Sequence, residues 1–153
     1  MVPERQRKVV ARNRKARHQY HILETEEAGI ELLGTEVKAI RAGRVNLKEA
    51  FVAFIKGEAF LVGCHISPYE HAGYGGHDPV RRRRLLLHKR QILRLASAVH
   101  EKGLTVVPLE MAIDGQWIKV MIALVRGKQL HDKRETLRRR TLEREAEQAM
   151  KER

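Results

Sequence analysis

The feature that most constrains the fold is a pair of apolar runs late in the chain, separated by a two-residue turn signal. The runs are residues 105–113 and 116–125, and Asp114-Gly115 lies between them. Asp-Gly favours the tight turn of a β-hairpin, where both central residues have positive φ. The second run alternates between two faces, Ile118, Val120, Ile122, Leu124 and Trp117, Lys119, Met121, Ala123. This alternation predicts a long antiparallel hairpin with one face in a core.

Shorter apolar runs predict further strands upstream. Strands are expected around Tyr20 and Ile22, around Ile30 and Leu32, and over residues 51–55 and 59–64. The last two flank residues 56–58, which carry a hairpin signal. Because Pro108 lacks an amide proton, its strand is expected to lie at an edge or to be irregular there.

Two helices are predicted between the strands. Residues 35–43 suit a short helix, with Thr35 as its N-cap and Gly43 at its end. Ile92, Leu95 and Val99 mark one face of another helix that ends at Gly103. Five or six strands with short helices predict a mainly β fold, and an OB-type barrel is the first choice.

The charge of the chain indicates a polyanionic partner. Lys and Arg number 31 against 19 Asp and Glu, which gives a net charge of +12. Basic residues concentrate in residues 4–18, 81–84 and 138–140. Three such runs in a chain this basic favour nucleic acid over an anionic membrane surface. No apolar run reaches the roughly 20 residues of a membrane span. A single cysteine, Cys64, excludes an internal disulfide and fits a reducing cytoplasm.

The scarcity of aromatic side chains narrows the kind of nucleic acid. Aromatics make up 5% of the chain, too few for a stacking platform along a single strand, so structured RNA is favoured. Trp117 and Lys119 are a candidate RNA-facing pair, although Trp117 can equally be half-buried under a loop. Glu27 and Glu36 either neutralise an arginine, cap a turn or accept a hydrogen bond from a base amino group.

The run of four arginines at 81–84 is followed directly by Leu85, Leu86 and Leu87. Leu85 and Leu87 are expected to seat a helix on the core. Leu86 lies between them and is expected to face outward, against nucleobases. The arginine run itself is interpreted as a solvated face or part of an RNA surface.

Catalysis is the weaker hypothesis. His65, His71 and His77 are spaced by six residues, which matches neither a helix face nor a known zinc framework. A metal-dependent nuclease using His65, His77 and Asp78 remains the enzymatic alternative. We expect no catalytic residue, no metal and no cofactor.

The segment from residue 127 to 153 suits a helix by propensity but has few apolar residues. Leu130, Leu137, Leu142 and Met150 are separated by seven, five and eight positions and form no stripe that could dock on a core. We therefore expect a tail that is disordered until it binds a large polyanion and then becomes helical.

Ten short motifs resemble, in order and spacing, the SsrA-binding protein family, also called small protein B or SmpB. They lie at residues 13–18, 27–30, 34–38, 57–61, 65–69, 77–79, 85–89, 107–109, 127–128 and 132–135. The resemblance implies an OB-fold antiparallel barrel with about three accessory helices. It also implies a basic extension over residues 1–12, an RNA-binding body over 13–126 and a tail over 127–153.

The resemblance further implies binding to the tRNA-like domain of tmRNA (SsrA RNA) on ribosomes stalled without a codon. The outcome would be trans-translation, ribosome rescue and tagging of the nascent chain for degradation. Elongation factor Tu with GTP and alanyl-tRNA synthetase are implied as indirect partners through tmRNA, with one cytoplasmic monomer per tmRNA. A structural ribosomal or general structured-RNA-binding protein is the alternative.

The resemblance also assigns residues by position. The implied RNA-binding residues are Asn13, Tyr20, Glu27, Arg41, Leu86 and Lys119. The implied decoding-centre and tail residues are Gly127, Lys128, His131, Asp132, Lys133, Arg134 and Met150. Gln19 and the pair Met111-Ala112 depart from the usual pattern of the family, where an acidic residue and an aromatic pair are common.

Overall fold

A computed structural model describes residues 7–68 and 77–127. Nine strands and three helices follow one another along these residues. The strands are β1 (Arg7–Arg12), β2 (Tyr20–Ile30), β3 (Val45–Asn46), β4 (Phe51–Ile55), β5 (Glu58–Val62), β6 (His65–Ile66), β7 (Arg83–Leu86), β8 (Thr105–Asp114) and β9 (Trp117–Gly127). The helices are α1 (Arg14–Gln19), α2 (Gly34–Arg41) and α3 (Lys89–Lys102).

Seven of the strands form one antiparallel sheet in the order β1-β8-β9-β2-β7-β5-β4. β4, at the far end of this order, also lies beside β8, so the sheet curls back on itself. The prediction of a mainly β, barrel-like fold with three helices is therefore confirmed. The predicted C-terminal tail lies outside the described residues, apart from Gly127.

Both predicted hairpins are present, one of them with a shifted turn. In the β4–β5 hairpin, Lys56 and Gly57 have φ of 51° and 77°, as a two-residue turn with positive φ at both positions requires. In the β8–β9 hairpin, Asp114 pairs with Trp117, so the turn consists of Gly115 and Gln116 rather than Asp114-Gly115. Positive φ falls on Gly115, which tolerates it without strain.

The N-terminal part of the sheet is longer than the sequence predicts. β2 runs through Tyr20–Ile30 as one strand, where two short strands were predicted. It is held along its length by β9 and bends at a bulge between Ile22 and Glu24. β1 begins at Arg7 and pairs with β8, so the sheet starts before the predicted boundary at residue 13.

The predicted helices are found, but α2 begins differently from the prediction. Its N-cap is Leu33, whose backbone N–H donates to the Glu36 carboxylate at 2.7 Å, so the predicted cap by Thr35 is wrong. The Thr35 hydroxyl lies 2.9 Å from His77 Nδ1 instead. α3 ends as predicted at Gly103, which adopts the left-handed conformation.

The core lies on the inner face of the curled sheet. Ile118, Val120, Ile122 and Leu124 all belong to it, as the alternation of β9 predicts. A second, smaller cluster lies on the opposite, outer face, where α1 covers part of β8 and β9. Pro108 marks an irregularity in β8, since the register with β9 shifts between Pro108 and Glu110. Because α1 covers only part of the outer face, this face is covered at one end and open at the other.

Candidate nucleic-acid interface

The open end of the outer face is built around Gly29. In β2, Gly29 pairs with Lys119 of β9 on one side and with Leu86 of β7 on the other. A Cβ at Gly29 would lie 3.2 Å from Leu86 Cβ, closer than ordinary van der Waals contact. The absence of a side chain at Gly29 thus lets Leu86 lie across the strand.

These strands and α2 enclose a cleft of about 420 Å³, hereafter the open cleft. Its lining is mostly apolar and comprises Gly29, Ile30, Leu32, Val37, Leu86, Gln116, Trp117, Ile118 and Lys119. Leu86 is 48% exposed and Trp117 is 71% exposed. The prediction that Leu86 faces outward is confirmed, and Trp117 is not half-buried under a loop. Large apolar groups beside a lysine suit contact with an unpaired base and its phosphate.

The charged groups beside the open cleft form a row across four strands, β1, β8, β9 and β2. Glu27 lies 4.0 Å from Lys119 Nζ and 4.0 Å from an Arg7 guanidinium nitrogen. Arg7 also binds Glu110 at 2.6 Å. These side chains remain partly exposed, so the pairs are weak and exchange readily with other charged partners. Glu27 therefore lies near two cations while retaining acceptor capacity for a base amino group.

One wall of the open cleft is supported by a buried ion cluster. Glu36 of α2 and Arg83 of β7 have 0% side-chain exposure and are joined by a 2.5 Å contact from Arg83 Nε to the carboxylate. Arg81 donates to the same carboxylate at 2.6 Å. Burial by itself raises the pKa of Glu36, but the hydrogen bonds from Arg81, from Leu33 N–H and from Arg83 outweigh it, so that pKa is lowered.

The arginine run was interpreted as a solvated or RNA-facing block, and for Arg83 this interpretation is wrong. Arg83 also donates to the Cys64 carbonyl at 2.7 Å and to the Pro79 carbonyl at 3.2 Å. The signal was present in the strand pattern, because Arg83 and Leu85 point to the same face of β7 and Leu85 is core. A buried arginine in turn requires a carboxylate partner.

The covered end of the outer face is organised by Asn13, which is only 3% exposed. Its side-chain amide donates to the Leu47 and Pro108 carbonyls at 3.1 and 3.0 Å. Its oxygen accepts from Ala16 N–H at 3.1 Å and so caps α1. The predicted RNA-binding residue Asn13 thus has its polar atoms engaged inside the protein.

The remaining predicted site residues lie at separate places. Tyr20 is half-buried against the smaller cluster at the covered end and lines a cleft of about 270 Å³ with Asn13 and Lys15. Arg41 is exposed in the last turn of α2, one turn beyond Val37 of the open cleft. Gly127, the last described residue, pairs with Tyr20. Lys128, His131, Asp132, Lys133, Arg134 and Met150 lie outside the described residues.

Two of the three residues proposed for a nuclease, His77 and Asp78, are engaged in structural contacts, whereas His65 is exposed in β6. His77 is buried, with Nε2 2.8 Å from the Ile66 carbonyl and Nδ1 facing Thr35. Asp78 accepts from Val80 N–H at 3.0 Å. Burial raises the pKa of the Cys64 thiol to about 11, which keeps it protonated. Within residues 7–68 and 77–127, no three His, Cys, Asp or Glu side chains are grouped as metal ligands would be.

No helix in the described part of the chain is long and apolar enough to cross a membrane.

Comparison with known proteins identifies the family. Residues 10–152 match the family model described as SmpB protein. The SsrA-binding protein of Gloeothece citriformis is 57% identical over 145 residues, which cover 94% of each chain. The SsrA-binding protein of Gloeobacter violaceus is 51% identical over 151 residues, 99% of each chain. A solved chain described as "tmRNA-SmpB: a journey to the center of the bacterial ribosome" is 50% identical, with a TM-score of 0.66, over 78% of this chain and 84% of that one. The chain therefore belongs to the SmpB protein family.

Proposed function

We propose that this protein binds the tRNA-like domain of tmRNA and acts with it on ribosomes stalled without a codon, in trans-translation. The observation that carries the proposal is the open cleft. An SmpB-family chain here presents exposed Leu86 and Trp117 beside Lys119 on one sheet face. The products of this activity are a tagged nascent chain and a released ribosome.

Within the RNA-binding body, the proposed contacts differ in kind. Leu86 and Trp117 supply apolar surface for unpaired bases, and Lys119 supplies a phosphate contact. Glu27 accepts from a base amino group, and Arg41 reaches RNA along the exposed side of α2. Tyr20 extends the surface at the covered end. Asn13 acts through the position of α1, because its own polar atoms are already bonded.

The tail residues from Gly127 onward are proposed to work on the ribosome. Gly127, Lys128, His131, Asp132, Lys133 and Arg134 enter the decoding centre, and Met150 contributes near the end of the tail. The tail becomes helical there and in the empty mRNA channel. Elongation factor Tu with GTP and alanyl-tRNA synthetase act on the same complex through tmRNA. The protein is a cytoplasmic monomer that uses no cofactor and catalyses no reaction.

Affinity capture from a bacterial lysate, followed by sequencing of the retained RNA, tests the proposal. We expect strong enrichment of tmRNA over ribosomal RNA. The matched control is the double variant Leu86→Asp, Lys119→Glu, which should lose that enrichment. Enrichment of ribosomal RNA without tmRNA would contradict the proposal and favour a general structured-RNA-binding protein.

Truncation separates the body from the tail. Because β9 extends through Gly127 and pairs with β2 to that point, the chain should be cut after Gly127 to keep the sheet intact. The truncated protein should bind the tRNA-like domain within about threefold of the full chain, about 0.7 kcal/mol. Tagging of a nascent chain on a nonstop message should be abolished. A parallel loss of RNA binding would show that the two functions are not divided at this point.

A further inference from the structure

Two structural elements face each other across the open cleft, and they are far apart in sequence. Leu32 directly precedes the N-cap of α2, Val37 lies in α2, and Leu86 comes from β7. β7 is fixed in the sheet between β2, which it meets at the pairs Gly29 with Leu86 and Ile30 with Leu85, and β5, which it meets through three residue pairs. The wall formed by α2 is not part of this sheet. The width of the cleft therefore depends on what holds α2 against β7.

Glu36 makes that connection. Its Oε1 accepts from Leu33 N–H at 2.7 Å, which secures the first turn of α2 next to Leu32. Its Oε2 accepts from Arg83 Nε at 2.5 Å, which secures β7 three residues before Leu86. Arg81 Nη2 donates to Oε1 at 2.6 Å and joins the segment that leads into β7. Both carboxylate oxygens are thus in use, and the carboxylate is fully buried.

We propose that Glu36 is a positioning residue for RNA binding, which holds the two walls of the open cleft at the separation that RNA requires. The inference rests on the proposed function of that cleft. Glu36 is 0% exposed and so does not itself touch RNA. Its contribution to affinity is the geometry it imposes on Leu86 and the start of α2.

The substitution Glu36→Gln tests this role because the change in net charge and the loss of positioning should affect RNA binding in opposite directions. It removes one negative charge, so the net charge of the chain rises by one from +12. Charge alone would then strengthen binding to a polyanion. An amide offers one acceptor oxygen where the carboxylate offers two, and its NH₂ faces arginine donors. We therefore expect the contact to Leu33 or to Arg83 to be lost and RNA binding to weaken.

The experiment measures the dissociation constant for a transcript of the tRNA-like domain of tmRNA, at a temperature where circular dichroism shows each variant folded. Glu36→Gln should weaken binding about tenfold, while the slope of log K against log salt stays that of the unsubstituted protein. An unchanged slope separates positioning from the loss of a phosphate contact. Tryptophan emission of the free protein should also change, since Trp117 is the chain's one tryptophan and lines the cleft.

The variant Leu95→Ala is the control for a general loss of stability. Leu95 is a buried residue of α3 that belongs to the core and does not line the open cleft. This variant should be less stable to urea and yet bind the transcript within about twofold of the original protein. Equal weakening by Glu36→Gln and Leu95→Ala, at equal loss of stability, would overturn the inference.

A pair of milder substitutions provides the test if the Glu36→Gln variant does not fold. Arg81→Gln removes one donor from Glu36, whereas Arg82→Gln removes a neighbouring charge that lies over the Phe60 ring, 4.6 Å from its centroid. Arg81→Gln should weaken binding about threefold, and Arg82→Gln less than twofold. Equal effects would overturn the inference. Failure of the unsubstituted protein to bind the transcript would instead refute the proposed function.

Discussion

The two ends of the outer sheet face are each organised by one buried polar side chain, but with different results. At the covered end, Asn13 joins α1 to the Leu47 and Pro108 carbonyls. At the open end, Glu36 joins α2 to β7 through Arg83. Asn13 brings a helix onto the sheet and closes that part of the face. Glu36 ties α2 to β7 beneath the open cleft and leaves the face accessible.

The difference shows how one sheet face provides both a core and a binding surface. Under α1, the outward side chains of β8 and β9 are small or apolar and buried, as Ala123 and Val107 are. Beyond α1 the same alternation exposes Lys119 and Trp117. A neutral amide, that of Asn13, suits the covered end because it satisfies backbone groups without a buried charge. The ionised carboxylate of Glu36 suits the open end because two arginines there need strong acceptors.

The largest expected effect in this comparison is that of Asn13→Ala. The variant loses the cap of α1 and leaves two buried carbonyls without their donor, so the free energy of unfolding should fall by about 3 kcal/mol. Urea denaturation followed by circular dichroism measures it. Asn46→Ala is the matched control, because Asn46 is exposed and accepts only from Lys48 N–H in the contacts described. Weaker RNA binding with an unchanged urea midpoint would mean that Asn13 contacts RNA directly.

An intermediate effect is expected from Leu86→Asp at the open end. The substitution removes apolar contact and adds a negative charge facing RNA, so affinity for the tRNA-like domain should fall about 30-fold, about 2 kcal/mol. Stability should change by less than about 0.5 kcal/mol, because Leu86 is half-exposed. Leu93→Asp places the same change on exposed α3 and should leave affinity within about threefold. Similar losses for both variants would remove the distinction between the cleft and the rest of the surface.

The smallest effect is a pH dependence confined to the open end. Because the folded-state pKa of Glu36 is lowered from 4.5, its ionisation stabilises the protein above pH 4.5. This contribution is lost as pH falls through the folded-state pKa. The stability difference between the unsubstituted protein and Glu36→Gln should thus be constant near neutral pH and should shrink below pH 4.5. Urea midpoints measured across acidic pH check it.

The covered end provides the control for this pH dependence. Asn13 does not titrate, so the difference between the unsubstituted protein and Asn13→Ala should not change with pH in the same range. A difference for Glu36→Gln that grows on acidification would contradict the lowered pKa.

Much of the local structure could be predicted because neighbouring residues decide it. The turn at Lys56 and Gly57, the helix that ends at Gly103 and the alternation of β9 all follow from residues close in sequence. The start of α2 could not be predicted in the same way. Its first turn is secured by a carboxylate three residues onward, and the expected cap Thr35 faces His77, 42 residues away.

In the candidate site, too, some features could be predicted from the sequence and others depend on contacts between distant residues. The outward position of Lys119 followed from strand alternation, and that of Leu86 from its place between two leucines expected in the core. The family resemblance named both residues, and the structure places both beside Gly29. The resemblance named Asn13 but carried no information on how it acts. The burial of Arg83 went unrecognised because the residues that hold it, Glu36, Cys64 and Pro79, are scattered along the chain.

The sequence by itself determined a basic, mainly β chain of the SmpB family, with apolar strands, tight turns and a polar tail. Those properties follow from composition, alternation and motif order, which need no knowledge of distant contacts. Only the tertiary structure decided which end of the outer face is open and which polar residues support it. A buried charge or amide is stable only where distant partners converge on it, and that convergence is a property of the fold.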